Sequence, residues 1–375
     1  MPPRRRATDE RTLLRLTGLP TAAGREDRVV AWVRRWAKRR RDVSLRTDRY
    51  GNLLIARRGQ RQTNAPPPIL FTAHLDHPAF VVTEVSGREL TAEFRGGVHD
   101  DYFVGTAVRL QRSIDPPRGV VQYLDPASPP DRPFKRVRVR FAKPVRAEPG
   151  DVLTWDLPAP RIARNRLRAP ACDDLAAVAA MFCAFDVLRR SRSFRGDVRL
   201  LCTRAEEIGF IGAMGACRSG LIPAGARLIA LENSKAFAES PLGGGPIVRV
   251  GDRTSVFDPA LTDAAARAAA ALQTSDPTFR WQRRLMPGGT CEATAYQALG
   301  HTATCLCLPL ANYHNMDEAH HRIAPESIHI DDYHGLIRLL VHLARHLDAP
   351  DRGDPLPARL DRLFRQHEPL LQTPS

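Results

Sequence analysis

The sequence predicts an α/β protein: a doubly wound, mostly parallel sheet with helices on both faces, interrupted by a small all-β, barrel-like insert. Three observations carry this. After residue 170, short apolar runs alternate with stretches of helical period. Between about 80 and 168 the helical period gives way to short runs separated by Gly, Pro and Asp turns. A chain of 375 residues also exceeds what one small core needs. The expected division is a body built from residues 1–80 and 168–375, with 81–167 inserted.

Along the chain, "VVAWVRRWAKRRRD" puts Val29, Val30, Trp32, Val33 and Trp36 on one helical face and arginines on the other. "VSLRTDRYGNLLIARRG" reads as two short strands around an RYGN turn. "PPPILFTAHLD" is an apolar strand that ends abruptly in polar residues. Within the insert, "FVVTEVSGRELTAEF" is strand, Ser-Gly turn, strand. "RVRVRF" alternates Val137, Val139 and Phe141 against arginines, the mark of a half-buried strand. "FVGTAVRL", "GVVQYLD" and "EPGDVLTWDL" complete a barrel or sandwich.

Beyond the insert, "DDLAAVAAMFCAFDVLRR" repeats Leu175, Val178, Phe182, Phe185 and Leu188 at helical spacing, so Asp173 sits at a helix start. "DVRLLCT", "ARLIALEN", "PIVRVGD" and "ATCLCLPL" read as strands. "GFIGAMGACRSG", "PALTDAAARAAAALQ", "TCEATAYQALG" and "SIHIDDYHGLIRLLVHLARHL" read as helices. The tail, 351–375, reads as a short helix with frayed ends.

Composition narrows the class. The hydrophobic share of 43% is that of a globular protein. No apolar run approaches the ~20 residues that span a bilayer; the longest, "LAAVAAMFCAF", stops at Asp186. The basic start lacks the apolar stretch of an export signal, and seven cysteines without a CxxC pair suit reduced thiols, so a cytoplasmic protein is expected. A net charge of +15 raises the question of nucleic acid. The arginines are scattered, however, and no zinc-finger, RNP-like or Walker pattern is present. Neither nucleic acid nor a membrane is expected as the main partner.

The strand ends carry the chemistry. "ILFTAHLD" delivers His74 and Asp76, the next helix start Asp173 and Asp174, "LLCTRAEE" Glu206 and Glu207, "LIALEN" Glu232, and "CLCLPLANYHNMDE" His314. Active sites of open α/β sheets gather at these carboxyl ends. Each residue alone has a plainer role: an ordinary hydrogen-bonded histidine, a helix cap at Asp173, dipole partners at Glu206 and Glu207, an arginine partner for Glu232. Their recurrence at successive strand ends favours a ligand set. Imidazoles and carboxylates without cysteine suit a borderline or hard divalent ion, zinc foremost, with cobalt or manganese also accepted. Two histidines and at least three carboxylates exceed one zinc's usual needs; they suit two ions ~3.5–4 Å apart that share a carboxylate and a water. Adjacent glutamates then divide the work, one holding an ion and the other taking the water's proton.

The ordered set "DRYGNLL", "AHLD", "CDDLAAV", "AEEIGFIGA", "GGTCEA" and "YHNMDE" resembles the di-metal aminopeptidase family that includes the glutamyl, deblocking and tetrahedral aminopeptidases, over nearly the whole chain. The resemblance implies hydrolysis of the N-terminal amide bond of short peptides. It implies that His74 and Glu232 hold one or other of two ions, that Asp173 bridges both, and that Glu207 and His314 complete the set. Glu206 would be the general acid/base, and Asp76 would orient His74 as metal histidines require. The β insert would serve dimerisation, with large hollow homo-oligomers as the assembled form. Its position between His74 and Asp173, and its all-β texture, separate the chain from related carboxypeptidases and deacylases, whose extra domain comes later and contains helices. An inactive metal-binding scaffold is the other class left open.

Three departures from the family pattern stand out. His77, Pro78 and Ala79 occupy the place of the usual Glu-x-Gly. Cys291, followed by Glu292, stands where Asp usually follows "GGT". Glu232 stands where near relatives often use Asp. The first two are expected along the substrate's approach.

Overall fold

Strand residues alternate between the two faces of a sheet, and here each face receives its own helical layer. The computed structural model describes residues 3–58, 66–127, 133–348 and 356–371. Helices α1 (Pro3–Leu16) and α2 (Asp27–Lys38) precede β1 (Val43–Thr47), β2 (Leu53–Arg57) and β3 (Ile69–His74). The insert follows as β4 (Ala79–Ser86), β5 (Glu89–Arg95), β6 (Ala107–Leu110), β7 (Arg118–Asp125), β8 (Lys135–Phe141) and β9 (Val152–Trp155). A hairpin, β10 (Arg161–Ala163) and β11 (Arg166–Ala169), leads into α3 (Leu175–Arg190), β12 (Val198–Thr203), α4 (Ile211–Arg218), β13 (Arg227–Lys235) and β14 (Ile247–Asp252). Then come α5 (Pro259–Ser275), β15 (Gln282–Met286), α6 (Glu292–Ala298) and β16 (Thr302–Leu310). The short β17 (Met316–Asp317), β18 (Arg322–Ile323) and β19 (Glu326–His329) lead to α7 (Ile330–His346) and α8 (Leu356–His367).

The main sheet runs β1-β2-β12-β3-β13-β16-β14-β15. Its centre, β12, β3, β13 and β16, is parallel, with antiparallel pairings at β1, β2 and the β16–β14 step. Ile69, Phe71 and Ala73 of β3 pack into the layer that holds Leu13 of α1, Val29 of α2, Phe182 of α3 and Tyr333 of α7. Leu70 packs into the opposite layer, with Ala213 and Ala216 of α4 and Ala293 and Tyr296 of α6. Thr72 and His74 continue the Leu70 row, and Thr72 accordingly meets Tyr296 at 2.8 Å. Period-2 alternation thus aims His74 to the α4 and α6 side of the strand's carboxyl end.

The basic amphipathic helix behaves as its pattern predicts. Val29 and Val33 are buried, and Trp32 and Trp36 close edge-on over Phe182 with ring centroids 5.1 and 4.8 Å away. Phe182→Ala will therefore cost about 3–5 kcal/mol, the usual penalty for deleting a packed aromatic. Urea denaturation of the body will register it as a lower midpoint.

The insert is a closed barrel, β4-β5-β8-β7-β6-β9, around Phe80, Phe94, Phe103 and Trp155. Val137, Val139 and Phe141 point inward from β8 while its arginines stay outside. Two sequence expectations need correcting. Ser327, Ile328 and His329 belong to β19, not to the start of α7, because β19 pairs with β11 in register Leu167 with Ile328. β15 was invisible in the sequence: as an edge strand it buries only Gln282 and Met286 of "QRRLM". The tail helix appears as α8, while its expected frayed ends at 351–355 and 372–375 lie outside the described residues. Among the described residues no helix is long and apolar enough to cross a membrane, and all seven cysteines are free.

Candidate metal centre

The end of β3, the body of β13 and the loops after β11, β12 and β16 converge above the parallel strands. His74 ends β3, and its Nε2 lies 3.3 Å from Asp173 Oδ1, 3.7 Å from Glu232 Oε1 and 3.9 Å from Glu206 Oε2. His314 Nε2 lies 3.6 Å from Asp173 Oδ2 and 3.3 Å from Glu207 Oε2. The two oxygens of Asp173 therefore face two different imidazoles. Asp174 joins the His74, Asp173 and Glu232 group. The sequence set these residues side by side in one list; the fold brings all of them to one place.

Their plainer roles do not hold. Asp173 caps nothing: Asp174 occupies the N-cap of α3 and makes no side-chain cap bond. Glu206 and Glu207 precede α4, whose first turn has no acidic residue. Glu232 has no arginine within ion-pair distance among the described residues; it faces His74. Of the clustered histidines, His314 is buried beside Asp173, whereas His320 and His321 are 67% and 61% exposed and pair with Asp317 and Asp101.

Secondary contacts hold each side chain. Asp76 Oδ1 lies 3.4 Å from His74 Nδ1, and its two oxygens accept from the backbone N–H of Glu206 and Glu207, each at 3.1 Å. Glu26 accepts from Ala205 N at 3.0 Å and from Arg204 Nε at 2.7 Å, bracing the same loop where Ala205 takes a left-handed φ of 53°. Behind it, a Cβ on Gly212 would come within 2.1 Å of the Arg204 carbonyl oxygen, so only glycine lets α4 start so close to that loop. Asn233 donates to Asp174 Oδ1 at 2.8 Å. His314 Nδ1 donates at 2.5 Å to the carbonyl of Gly97, which lies in the insert just after β5.

Sequence reasoning missed Glu326 altogether. It is fully buried and accepts from the N–H of Cys172, Asp173 and His314, at 2.6, 3.0 and 2.9 Å. Backbone acceptors of this kind leave no sequence pattern. His77 and Cys291, expected along the substrate's approach, are buried, as are the side chains of the ligand candidates themselves. His77 Nδ1 donates to the Asp173 carbonyl at 2.5 Å, and Cys291 N donates to Asp252 Oδ2 at 3.1 Å at the start of α6. Glu292 lies beneath the site with Oε2 3.4 Å from Thr72 Oγ1.

The electrostatics are those of a cation site. Burial, then the nearby Glu232 carboxylate, push Asp173 up to about 8. Burial also holds Asp174, Glu206 and Glu207 well above the carboxylate range. Burial alone would depress His74, yet Glu206, Asp173, Asp76 and Glu232 raise it well above its ordinary value. His314, by contrast, is pushed down to about 3 by burial and so stays a neutral ligand imidazole. Asp173 Oδ1, Asp174 Oδ2 and Glu207 Oε1 are buried without hydrogen-bond partners. Four ligands at about 2.0–2.2 Å from one ion stand about 3.3–3.6 Å apart, close to the separations of 3.3, 3.6 and 3.7 Å seen here. The donors, all imidazole and carboxylate, fit zinc-like ions.

Comparison with known proteins identifies the fold and the family. Structures of similar fold include an aminopeptidase of the archaeon Desulfurococcus kamchatkensis, 20% identical over 91% of this chain and 95% of that one, with a TM-score of 0.74. A TET aminopeptidase from a marine-sediment Thaumarchaeota archaeon is 18% identical over 92% and 97%, with a TM-score of 0.75. The TET1 peptidase of Pyrococcus horikoshii, which can assemble into a tetrahedron or a large octahedral shell, is 19% identical over 90% and 99%, with a TM-score of 0.71. At these identities the likeness speaks for the fold. No curated protein sequence matches the chain. Residues 51–339, a span from the RYGN turn into α7, match the sequence profile of the M42 glutamyl aminopeptidases. The chain belongs to that metal-dependent family, and it is an enzyme, a hydrolase of the aminopeptidase kind.

Proposed function

We propose that the enzyme cleaves the N-terminal amide bond of short peptides at a centre of two divalent ions, zinc first among the candidates, with Glu206 as general base. One observation supports this above the others: Asp173 turns one carboxylate oxygen to His74 and the other to His314. His74, Asp173 and Glu232 would hold the first ion, with Asp174 at hand, and Asp173, Glu207 and His314 the second. When bound, such ions polarise the scissile carbonyl and bring the pKa of a coordinated water toward ~7.

The chain's own residues do the rest. Asp76 keeps the His74 ring and the Glu206–Glu207 backbone in register through three contacts. Glu206 accepts the proton of the attacking water and returns it to the leaving amine nitrogen as the C–N bond breaks. Glu207 and Glu232 stay ionised as ligands.

In this reading residues 1–80 and 168–375 form the catalytic body, and 81–167 serve assembly into a homo-oligomer. The shells formed by the P. horikoshii peptidase lend support. Seven free cysteines support a reducing, cytoplasmic setting.

The test is turnover by the purified enzyme, loaded with zinc, cobalt or manganese, on matched peptides with free or acylated N-termini. Release of the first residue from free N-termini alone is the expected result. Cleavage of only the acyl group would make it a deacylase, and two bound ions with no turnover would make it a scaffold.

A further inference from the structure

Two loops must meet for Asp173 to stand opposite His314; their flanks are tied through β19, which pairs with β11 and bridges to Ala311, but the ladder ends before residues 170–174. The first loop, 170–174, follows β11; the second, 312–315, follows β16. The second is tightly turned. Asn312, His314 and Asn315 all have left-handed φ values, of 55°, 54° and 65°, a conformation that asparagine and histidine adopt more readily than most non-glycine residues.

Three side chains span the gap. Glu326 takes the N–H groups of Cys172 and Asp173 on one carboxylate oxygen and that of His314 on the other. His77 donates from Nδ1 to the Asp173 carbonyl at 2.5 Å, and its Nε2 packs 3.0 Å from Asn315 Oδ1, to which only a protonated ring would donate as well. Asn315 in turn donates to the Pro170 carbonyl at 2.9 Å. Every one of these contacts reaches backbone or the side chain of a non-ligand. None consumes a carboxylate oxygen or imidazole nitrogen of Asp173, Glu207 or His314 that an ion would need.

We propose that His77 and Glu326 are positioning residues, a clamp that fixes the distance between the Asp173 and His314 loops and so presets the second ion's site. The inference rests on the two-ion reading above. The clamp bears chiefly on the second ion. Asp173 serves both ions, but the first would also be held by His74 and Glu232, on neighbouring parallel strands whose spacing the sheet already fixes. Asp173 and His314 lie in loops beyond the β11–β19 ladder and the Ala311–Ser327 bridge, and there the clamp ties them together.

Zinc titration of the metal-free full chain against a competing chelator dye tests this without reference to activity. The parent should take two ions. His77→Leu, which keeps bulk and removes both nitrogens, should weaken the second site by about 10–100-fold, the range for outer partners of metal ligands, and the first, which shares only Asp173 with it, distinctly less. His77→Asn, which returns a donor near the place of Nδ1, should recover most of that loss. In a His314→Ala background His77→Leu should add only that smaller effect, because the main losses fall on the same site. Glu326→Gln should mimic His77→Leu more severely; if it does not fold, the His77 pair still decides. Two sites of parental affinity in His77→Leu, equal loss at both with a lower Tm, or no recovery in His77→Asn would each overturn the clamp. A parent that binds fewer than two ions would instead fell the two-ion reading, and the clamp with it.

Discussion

Glu206→Gln will lower kcat by about 10²–10⁴-fold, the range for loss of a positioned general base, and will leave the ion content at the parent's level. The substitution keeps the shape of the side chain and removes only its basicity. Its backbone N–H stays on Asp76, so the loop has no reason to move. Glu206 is buried, and its Oε2 lies 3.9 Å from His74 Nε2, slightly farther than the Asp173 and Glu232 oxygens. At that distance Glu206 reaches the His74 side of the centre, where an acceptor for the proton of a bound water should stand. Burial raises its carboxyl well above the ordinary range, and bound cations would favour its ionised, proton-accepting form. Glu207→Gln provides the contrast: Glu207 Oε2 stands 3.3 Å from His314 Nε2, so this change should lose one ion. Parallel measurement of kcat and of zinc per chain separates the two roles. Parental kcat in Glu206→Gln, or ion loss matching that of Glu207→Gln, would remove Glu206 from the base's place.

Most of this centre could be read from the chain because its ligands sit where two sequence signals coincide. An apolar run marks a central strand, and an abrupt carboxylate or imidazole marks its end; "ILFTAH" and "LIALE" show both. The same logic fails for residues that serve backbone. Glu326 lies in β19, a strand of four residues whose apolar positions continue into α7 and read as helix. Its function, gathering N–H groups from two distant loops, has no spacing to detect. Gly97 is another such case, since it contributes only a carbonyl to His314. β10, β11 and β15 were missed for a different reason. They are short or at an edge and carry several arginines, so the alternation that identified β8 has too few buried positions to register.

The Gly97 contact also changes what the insert can mean. A domain needed solely for assembly would have no cause to reach a buried imidazole of the body. Here the segment between β5 and β6 fixes the His314 ring from one side, and Glu326 fixes its backbone from the other.

Asp173→Ala will empty both ion sites and abolish turnover, whereas His314→Ala and Glu232→Ala will each lose one ion. This follows from the two-sided contact of Asp173 with His74 and His314. Loss of affinity should exceed the ~10–100-fold typical of an outer partner, and zinc per chain after gel filtration will read it directly. Ion uptake will also depend on pH in a fixed direction. Burial raises Asp173 from 3.8 to about 8 in the folded chain. Below that value a proton occupies the carboxyl, and an entering ion must expel it. Apparent affinity should therefore rise with pH by about tenfold per unit for each proton displaced. The fold itself feels the opposite slope. Between pH 4 and 8 the unfolded chain has released this proton while the folded chain keeps it, so metal-free protein loses stability as pH rises through that window. Calorimetry of chelator-treated protein should show Tm falling from pH 5 to pH 8, a smaller fall in Asp173→Asn, and restoration of Tm by zinc at pH 8 in the parent alone. A metal-free parent whose Tm rises across this window would mean that Asp173 is not the group held protonated by its burial.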